Sequence, residues 1–255
     1  MTGAREPTEG AVGANAGTEA GGRRGNAVPE PRVTRMFDSI APVYDRMNTL
    51  MTLGLDGRWR RAAVRAAALR RGGSAVDVAC GTGKLTAALA GAVGSAGHVV
   101  GVDLSPAMLD EARLAFGELE GLEFRLGNAL ALPLASGSFD SATIAFGLRN
   151  LSSFDDGIRE MARVVRSGGR VVCLELSVPR PRFMGRIYTD AFRIMAPAVG
   201  AAFRRRVAYS YLPHSLDGFP AAEEIAVTMQ RVGLQDVSFK RLALGAVALH
   251  VGTVA

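Results

Sequence analysis

The sequence predicts an α/β fold with a mainly parallel sheet. Apolar runs of strand length alternate with helical patterns along most of the chain. One run, AVDVA from Ala75, feeds straight into the turn Cys80-Gly81-Thr82-Gly83, whose glycines allow a tight bend and close approach of a ligand to the backbone. About twenty residues on, a second run, HVVGVD, closes on Asp103, where a doubly wound sheet places an acid for ribose hydroxyls.

With 255 residues, 48% of them hydrophobic, the chain can bury one large core, and nothing repeats at a fixed period. Residues 1–30 hold Gly, Ala, Glu and Pro with hardly a large apolar side chain, so they are read as a disordered extension ahead of a single domain over 31–255. The two cysteines, Cys80 and Cys173, lie far apart in sequence, which fits packing roles in a reducing compartment. No apolar run approaches the roughly 18 residues of a membrane span, and the N-terminus lacks a signal-peptide core, so a cytoplasmic protein is expected. The net charge of +6 comes almost wholly from arginine. The arginines are scattered outside Arg204-Arg205-Arg206, which argues against a nucleic-acid partner and against a non-catalytic RNA-binding module.

Taken in order, Met36, Phe37, Ile40, Tyr44 and Met47 recur at helical spacing around Pro42, and two helices are expected before the sheet. Helices in that position can fold as a lid over the carboxyl edge, where ligands bind. The helix after the glycine turn presents Leu85, Leu89 and Val93 on one face. Ser105-Pro106 caps the next, with Met108, Leu109, Ala112 and Phe116 facing inward. LEFRL is the third strand and ends in Gly127-Asn128-Ala129, where an adenine edge could be read by a side-chain amide beside a backbone N–H. SFDSATIAF is the fourth strand and runs into Gly147-Leu148-Arg149-Asn150. A helix marked by Ile158, Met161, Ala162 and Val165, a Gly168-Gly169 turn and the strand VVCLEL follow.

Two ligands fit this layout. A dinucleotide calls for G-x-G-x-x-G, but Thr86 stands at the third glycine. S-adenosyl-L-methionine has no phosphates and needs only the turn, the ribose acid and a polar contact to adenine. D-x-A-x-G-x-G, with Asp77, Gly81 and Gly83, supplies them.

Three blocks carry a more specific resemblance: MFDSIAPVYDRMN before the sheet, NALALPLASGSFDSATIAFGLRNL at strand four, and YSYLPHSLDGFP followed by ALHVG near the end. From about Val33 to Gly252 the chain resembles the ubiquinone/menaquinone biosynthesis C-methyltransferases, a family within the S-adenosylmethionine-dependent methyltransferases. The resemblance implies a Rossmann-like, doubly wound, mainly parallel seven-stranded sheet with one antiparallel strand at its edge and N-terminal lid helices. It also implies methyl transfer to a ring carbon of a polyprenylated quinol. The family's cofactor contacts carry over to Thr82 in the turn, Asp103 on the ribose, and Asn128 with Ala129 near adenine. Two departures stand out: Ala145 where relatives often have Ser before FGLRN, and Ser167 where they have Pro. Naphthoquinol and benzoquinol substrates share these motifs, and the Ala, Gly and Arg richness favours demethylmenaquinol. The nearest rival is an O- or N-methyltransferase of the same sheet acting on another small molecule.

For such a substrate the obstacle is ionisation. A phenol of pKa about 10 lies some three units from ionised at neutral pH, a penalty of about 4 kcal/mol, so a group that stabilises the oxyanion acts on the barrier. Arg149 in FGLRN is the first candidate, holding the phenolate or orienting a water, since guanidinium is no base at this pH. His250 is the candidate base by pKa. Tyr44, Asp45, Tyr209 and Tyr211 follow His250 as catalytic candidates, and they could equally line the quinol pocket, with rings stacking on the substrate. No cluster has metal-ligand spacing, and this chemistry needs no metal. Phe183, Met184, Ile187, Tyr188, Ala191, Phe192 and Met195 form one helical face, which is read first as core-facing. Pro197, Gly200 and Arg204-Arg205-Arg206 after it add the expectation of weak peripheral attachment to an anionic membrane at the inner face.

Overall fold

A computed structural model describes residues 29–177, 179 and 219–255. The extension over residues 1–28, the apolar face at 183–195, Arg204 to Arg206, Tyr209 and Tyr211 lie outside the described residues.

The chain opens with two helices, α1 (Glu30–Met51) and α2 (Asp56–Ala67), and then alternates. Strands β1 (Ser74–Val78), β2 (His98–Asp103), β3 (Leu122–Leu126) and β4 (Phe139–Ala145) are joined through α3 (Lys84–Val93), α4 (Pro106–Phe116) and a loop. After a 3-10 turn at Leu148–Asn150 come α5 (Phe154–Val164), β5 (Val165–Leu176), α6 (Ala222–Arg231), β6 (Gln235–Leu242) and β7 (Val247–Thr253). Pro42 sits inside α1 without ending it. The glycines at 168 and 169 do not separate helix from strand as expected, because β5 already begins at Val165 and runs through them.

The seven strands form one sheet in the order β3-β2-β1-β4-β5-β7-β6. Neighbours from β3 through β5 pair in parallel, whereas β7 is antiparallel to both β5 and β6. The single reversed strand is therefore not at the edge, as the resemblance implied, but one place in, with β6 outside it. Chain order leads from β1 outward to β2 and β3, then returns to β4 on the other side of β1. That reversal makes the gap between the carboxyl ends of β1 and β4 the switch point at which doubly wound sheets bind ligands.

Alternating strand residues feed two cores. Val76, Val78, Val100, Val102 and Ile144 meet α5 and α6 through Ile158, Met161, Ile225 and Met229. Ala75, Val99, Val172 and Leu174 meet α2 and α3 through Ala63, Ala67, Leu85 and Leu89. Such parallel strands, covered on both faces, need the near-continuous apolar runs seen in the sequence. Cys80 and Cys173 are both buried and unbridged.

Candidate active site

An open cleft of about 760 Å³, solvent at its mouth included, lies along the carboxyl edge, lined by residues that follow β1, β2, β3 and β4 and by α1. Four adjacent strands span three spacings, about 14 Å, so the loops lie in one row: Asn128 and Ala129 after β3, Asp103 and Ser105 at β2, Gly81 after β1, and Phe146 and Asn150 after β4.

Asp103 is fixed from two sides. Its Oδ2 accepts from Gly81 N at 2.8 Å and its Oδ1 from Ser105 N at 2.9 Å. The remaining lone pairs of the carboxylate are left for a ligand. Burial pushes its pKa above the ordinary value, and the hydrogen bonds from Ser105 and Gly81 pull back. At β3, Asn128 Oδ1 accepts from Leu130 N at 2.9 Å. The Ala129 N–H makes no hydrogen bond among the described residues, so it is available to a ring nitrogen.

The two glycines of the turn differ in purpose. Gly81 has φ +56, and a Cβ there would meet only Tyr44 Cε1, at 3.9 Å, so it keeps the turn open toward the cleft. Gly83 has φ +78, and a Cβ there would lie 2.7 Å from Phe124 Cζ, so it serves packing behind the turn. Asp77 also lies behind it: 1% exposed, it accepts from Thr86 Oγ1 at 2.7 Å and Thr143 Oγ1 at 2.8 Å. Burial raises its pKa to about 6. The Thr82 side chain turns to the lid, donating to Asp45 Oδ1 at 2.8 Å, with Lys84 Nζ 3.4 Å from the same oxygen.

Of the two helices expected as a lid only α1 lines the cleft, while α2 packs on the sheet beside α3. Among the polar residues of α1 that bond across to the loops, only Asp45 was expected. Ser105 Oγ donates to Asp38 Oδ1 at 2.5 Å, Asn128 Nδ2 to Glu30 Oε2 at 3.1 Å and Ser152 Oγ to Glu30 Oε1 at 2.7 Å. With Asp45 on Thr82, three carboxylates of one helix reach the loops after β1, β2 and β3. Their spacing of eight and then seven residues, about two turns each, is the signal that would have revealed this face. Tyr44 lines the cleft beside Gly81 and meets Phe37 edge-on, with ring centroids 6.1 Å apart.

Two expected catalytic residues stand elsewhere. Arg149 is 6% exposed and lies under the cleft wall, its Nη1 donating to the Phe146 carbonyl at 2.7 Å and pairing with the fully buried Glu175. Glu175 also accepts from Arg149 N at 3.2 Å and Leu176 N at 2.8 Å. The guanidinium is thus committed to a carboxylate, which corrects its reading as a direct partner of substrate oxygen. His250 is fully buried at mid-β7, opposite Cys173 of β5. Its Nε2 lies 2.8 Å from the Ala222 carbonyl, and its ring stacks on Phe239. It does not reach the cleft, and burial lowers its pKa, so the structure does not place it as a base. Among the described residues no group of His, Cys, Asp or Glu is arranged to hold a metal.

The ubiE/COQ5 methyltransferase profile matches residues 26–254, nearly all of the domain just described. The chain belongs to the ubiE/COQ5 methyltransferase family. It is accordingly an S-adenosylmethionine-dependent methyltransferase. It is 39% identical over 226 residues to a demethylmenaquinone methyltransferase of Halalkalibacterium halodurans, covering 88% of this chain and 92% of the relative. It is 38% identical over 224 residues to the ubiquinone/menaquinone biosynthesis C-methyltransferase UbiE of Geobacter sulfurreducens, covering 87% of this chain and 88% of the relative. Among solved structures, a SAM-dependent methyltransferase from Aquifex aeolicus superposes with TM-score 0.57 at 15% identity, over 77% of this chain and 89% of that one. Phosphoethanolamine N-methyltransferase 2 of Haemonchus contortus, in complex with S-adenosyl-L-methionine, gives 0.55 at 14%, over 76% and 51%. These two likenesses concern the fold.

Proposed function

We propose that this methyltransferase transfers a methyl group from S-adenosylmethionine to a ring carbon of a polyprenylated quinol, with demethylmenaquinol as the substrate. The names of the relatives support the quinol. The observation that carries the reading is the row of loops: a fixed carboxylate and an N–H unbonded among the described residues at the β2–β3 end, and Tyr44, Phe146 and Ala145 at the β1–β4 end. A polar nucleoside suits the first end, and an uncharged aromatic ring suits the second.

In this reading Asp103 holds the ribose hydroxyls, Asn128 and the Ala129 N–H face the adenine, and Gly81 lets the methionine portion approach the backbone. Asp77, Thr82 and Gly83 act behind them, tying the turn to α3, β4 and the lid. When bound, the cofactor supplies an electrophilic sulfonium methyl. The chain's residues must hold the ring in line with it and exclude water. Phe146 has φ +59 and Ala79 has φ +51, both strained for residues with a Cβ, at the two strand ends that flank the switch point. Arg149, held in turn by Glu175, donates to the Phe146 carbonyl, and Trp59 packs against the Phe146 ring with centroids 6.1 Å apart. We assign Arg149 to positioning this wall. Tyr44 is assigned to contact with the quinol.

Weak attachment to anionic membrane, keeping the polyprenyl tail in lipid, belongs to the same proposal. Its sequence support is Arg204-Arg205-Arg206 beside aromatic residues. Among the described residues no helix is long and apolar enough to cross a membrane. Leu53, 85% exposed in the turn between α1 and α2, adds an apolar group to the surface. Incubation with labelled S-adenosylmethionine and each reduced quinone in turn tests the reaction. Label entering no quinol would overturn it, and label entering only benzoquinol would shift the substrate. Cosedimentation with anionic and neutral liposomes tests attachment, and absence of binding to both would reject it.

A further inference from the structure

The cleft at its β3 end contains a carboxylate that the cofactor contacts carried over by resemblance leave out. Glu30 opens α1 and lines the cleft next to Asn128, which lies far from it in sequence. Each oxygen of its carboxylate accepts one hydrogen bond, Oε1 from Ser152 and Oε2 from Asn128. A carboxylate has about four lone-pair sites, so acceptor capacity remains. Asn128 is less free, because its own Oδ1 already takes the Leu130 N–H. The Ala129 N–H, which makes no hydrogen bond among the described residues, completes the group.

These groups form a donor and an acceptor on one stretch of wall. An adenine edge presents the complementary pair, a ring nitrogen that accepts and an exocyclic amino group that donates. We propose that Glu30, carried in on the lid helix, is a specificity-determining residue for the purine base, accepting a hydrogen from the 6-amino group while the Ala129 N–H meets the adjacent ring nitrogen. The inference rests on the reading of the cleft as the S-adenosylmethionine site, and it adds a residue from outside the sheet. A base lacking the amino group leaves Glu30 short of a donor. Because Glu30 also holds α1 to Asn128 and Ser152, base recognition and lid closure share one side chain.

The test compares dissociation constants of the full chain for S-adenosylhomocysteine and for its 6-deamino analogue, in which purine replaces adenine, by titration calorimetry. A hydrogen bond to a charged acceptor predicts that the wild type binds the deamino analogue about ten- to a hundredfold more weakly. In Glu30→Ala the two constants should converge, and in Glu30→Gln, which keeps one acceptor oxygen, part of the ratio should survive. Loosening of the lid alone would weaken both ligands equally and leave the ratio unchanged, so an unchanged ratio in Glu30→Ala overturns the assignment. Failure of the wild type to bind S-adenosylhomocysteine at all would instead overturn the cofactor site on which the inference rests.

Discussion

Replacing Asp103 with alanine tests the centre of the cleft, because this carboxylate holds two loops and, in the proposed reading, also the ligand. On the ligand side, ribose hydroxyls lose a charge-assisted acceptor worth about 1.5 to 3 kcal/mol, which raises the dissociation constant for S-adenosylmethionine about 10- to 150-fold. On the protein side, the N–H groups of Gly81 and Ser105 lose the acceptor that ties the turn after β1 to the start of α4. Water entering through the cleft offsets part of that loss, so a fall of a few degrees in melting temperature is expected, about 1 kcal/mol. Asp103→Asn separates the two roles. It keeps the shape and one acceptor oxygen but turns an N–H toward one of the two backbone donors, so its affinity should fall between wild type and alanine. Burial raises the pKa of Asp103, so affinity should decline on acidification at a higher pH than an ordinary aspartate would give. Titration calorimetry on both variants, with melting curves alongside, provides the measurement. An unchanged dissociation constant in Asp103→Ala would remove Asp103 from the site.

Gly81→Ala and Gly83→Ala should fail differently: the first places a methyl at the open side of the turn and weakens cofactor binding, whereas the second strikes Phe124 and costs about 1 to 3 kcal/mol of stability. Calorimetry and melting read the two effects, and equal behaviour would refute the division of roles. Asp77 has its pKa raised to about 6 from 3.8, so the folded state holds this proton more tightly than the unfolded chain. Its favourable contribution is complete below pH about 4 and lost as pH rises through about 6. Asp77→Asn should therefore gain stability relative to wild type between pH 4 and 7, by about 3 kcal/mol at most, and parallel stability profiles would contradict this. Breaking the buried Arg149–Glu175 pair from either side should destabilise by about 3 to 5 kcal/mol, with Glu175→Gln and Arg149→Met losing melting temperature together. An Arg149→Met enzyme that melts like wild type but turns over poorly would return Arg149 to the substrate.

Much of the sheet was legible because its signal is local. Buried parallel strands must be nearly continuous apolar runs, and AVDVA, HVVGVD and SATIA are, with Asp77, His98, Asp103, Ser141 and Thr143 as their polar exceptions. The place of Asp103 at the cleft was legible for a related reason, since an acid that closes the strand after a glycine turn falls at the carboxyl edge of the sheet. The place of β7 was not, since an apolar strand carries no mark of its direction and the pairing is decided by partners far apart in sequence. Glu30 and Asp38 were missed because an acid on a helix ordinarily reads as a solvated residue. Only the fold shows that the face they share lies against Ser105 and Asn128.

Arg149 and His250 illustrate why residue type misleads inside a core. Both can do chemistry in water, and both stand in blocks that resemble the family, yet burial changes what each can offer. Bringing a guanidinium to 6% exposure is tolerable only with a counterion, and Glu175, hidden in the run VVCLEL, supplies it. Nothing in that run distinguishes a buried partner from a strand acid facing solvent. Once the pair forms, its strength goes into the backbone around Phe146, where a left-handed residue with a bulky ring needs outside support to persist. The same burial lowers the pKa of His250 and leaves its Nε2 against the Ala222 carbonyl, so it ties β7 to the start of α6. Burial thereby commits Arg149 to the wall at Phe146 and His250 to the join between β7 and α6, away from the cleft.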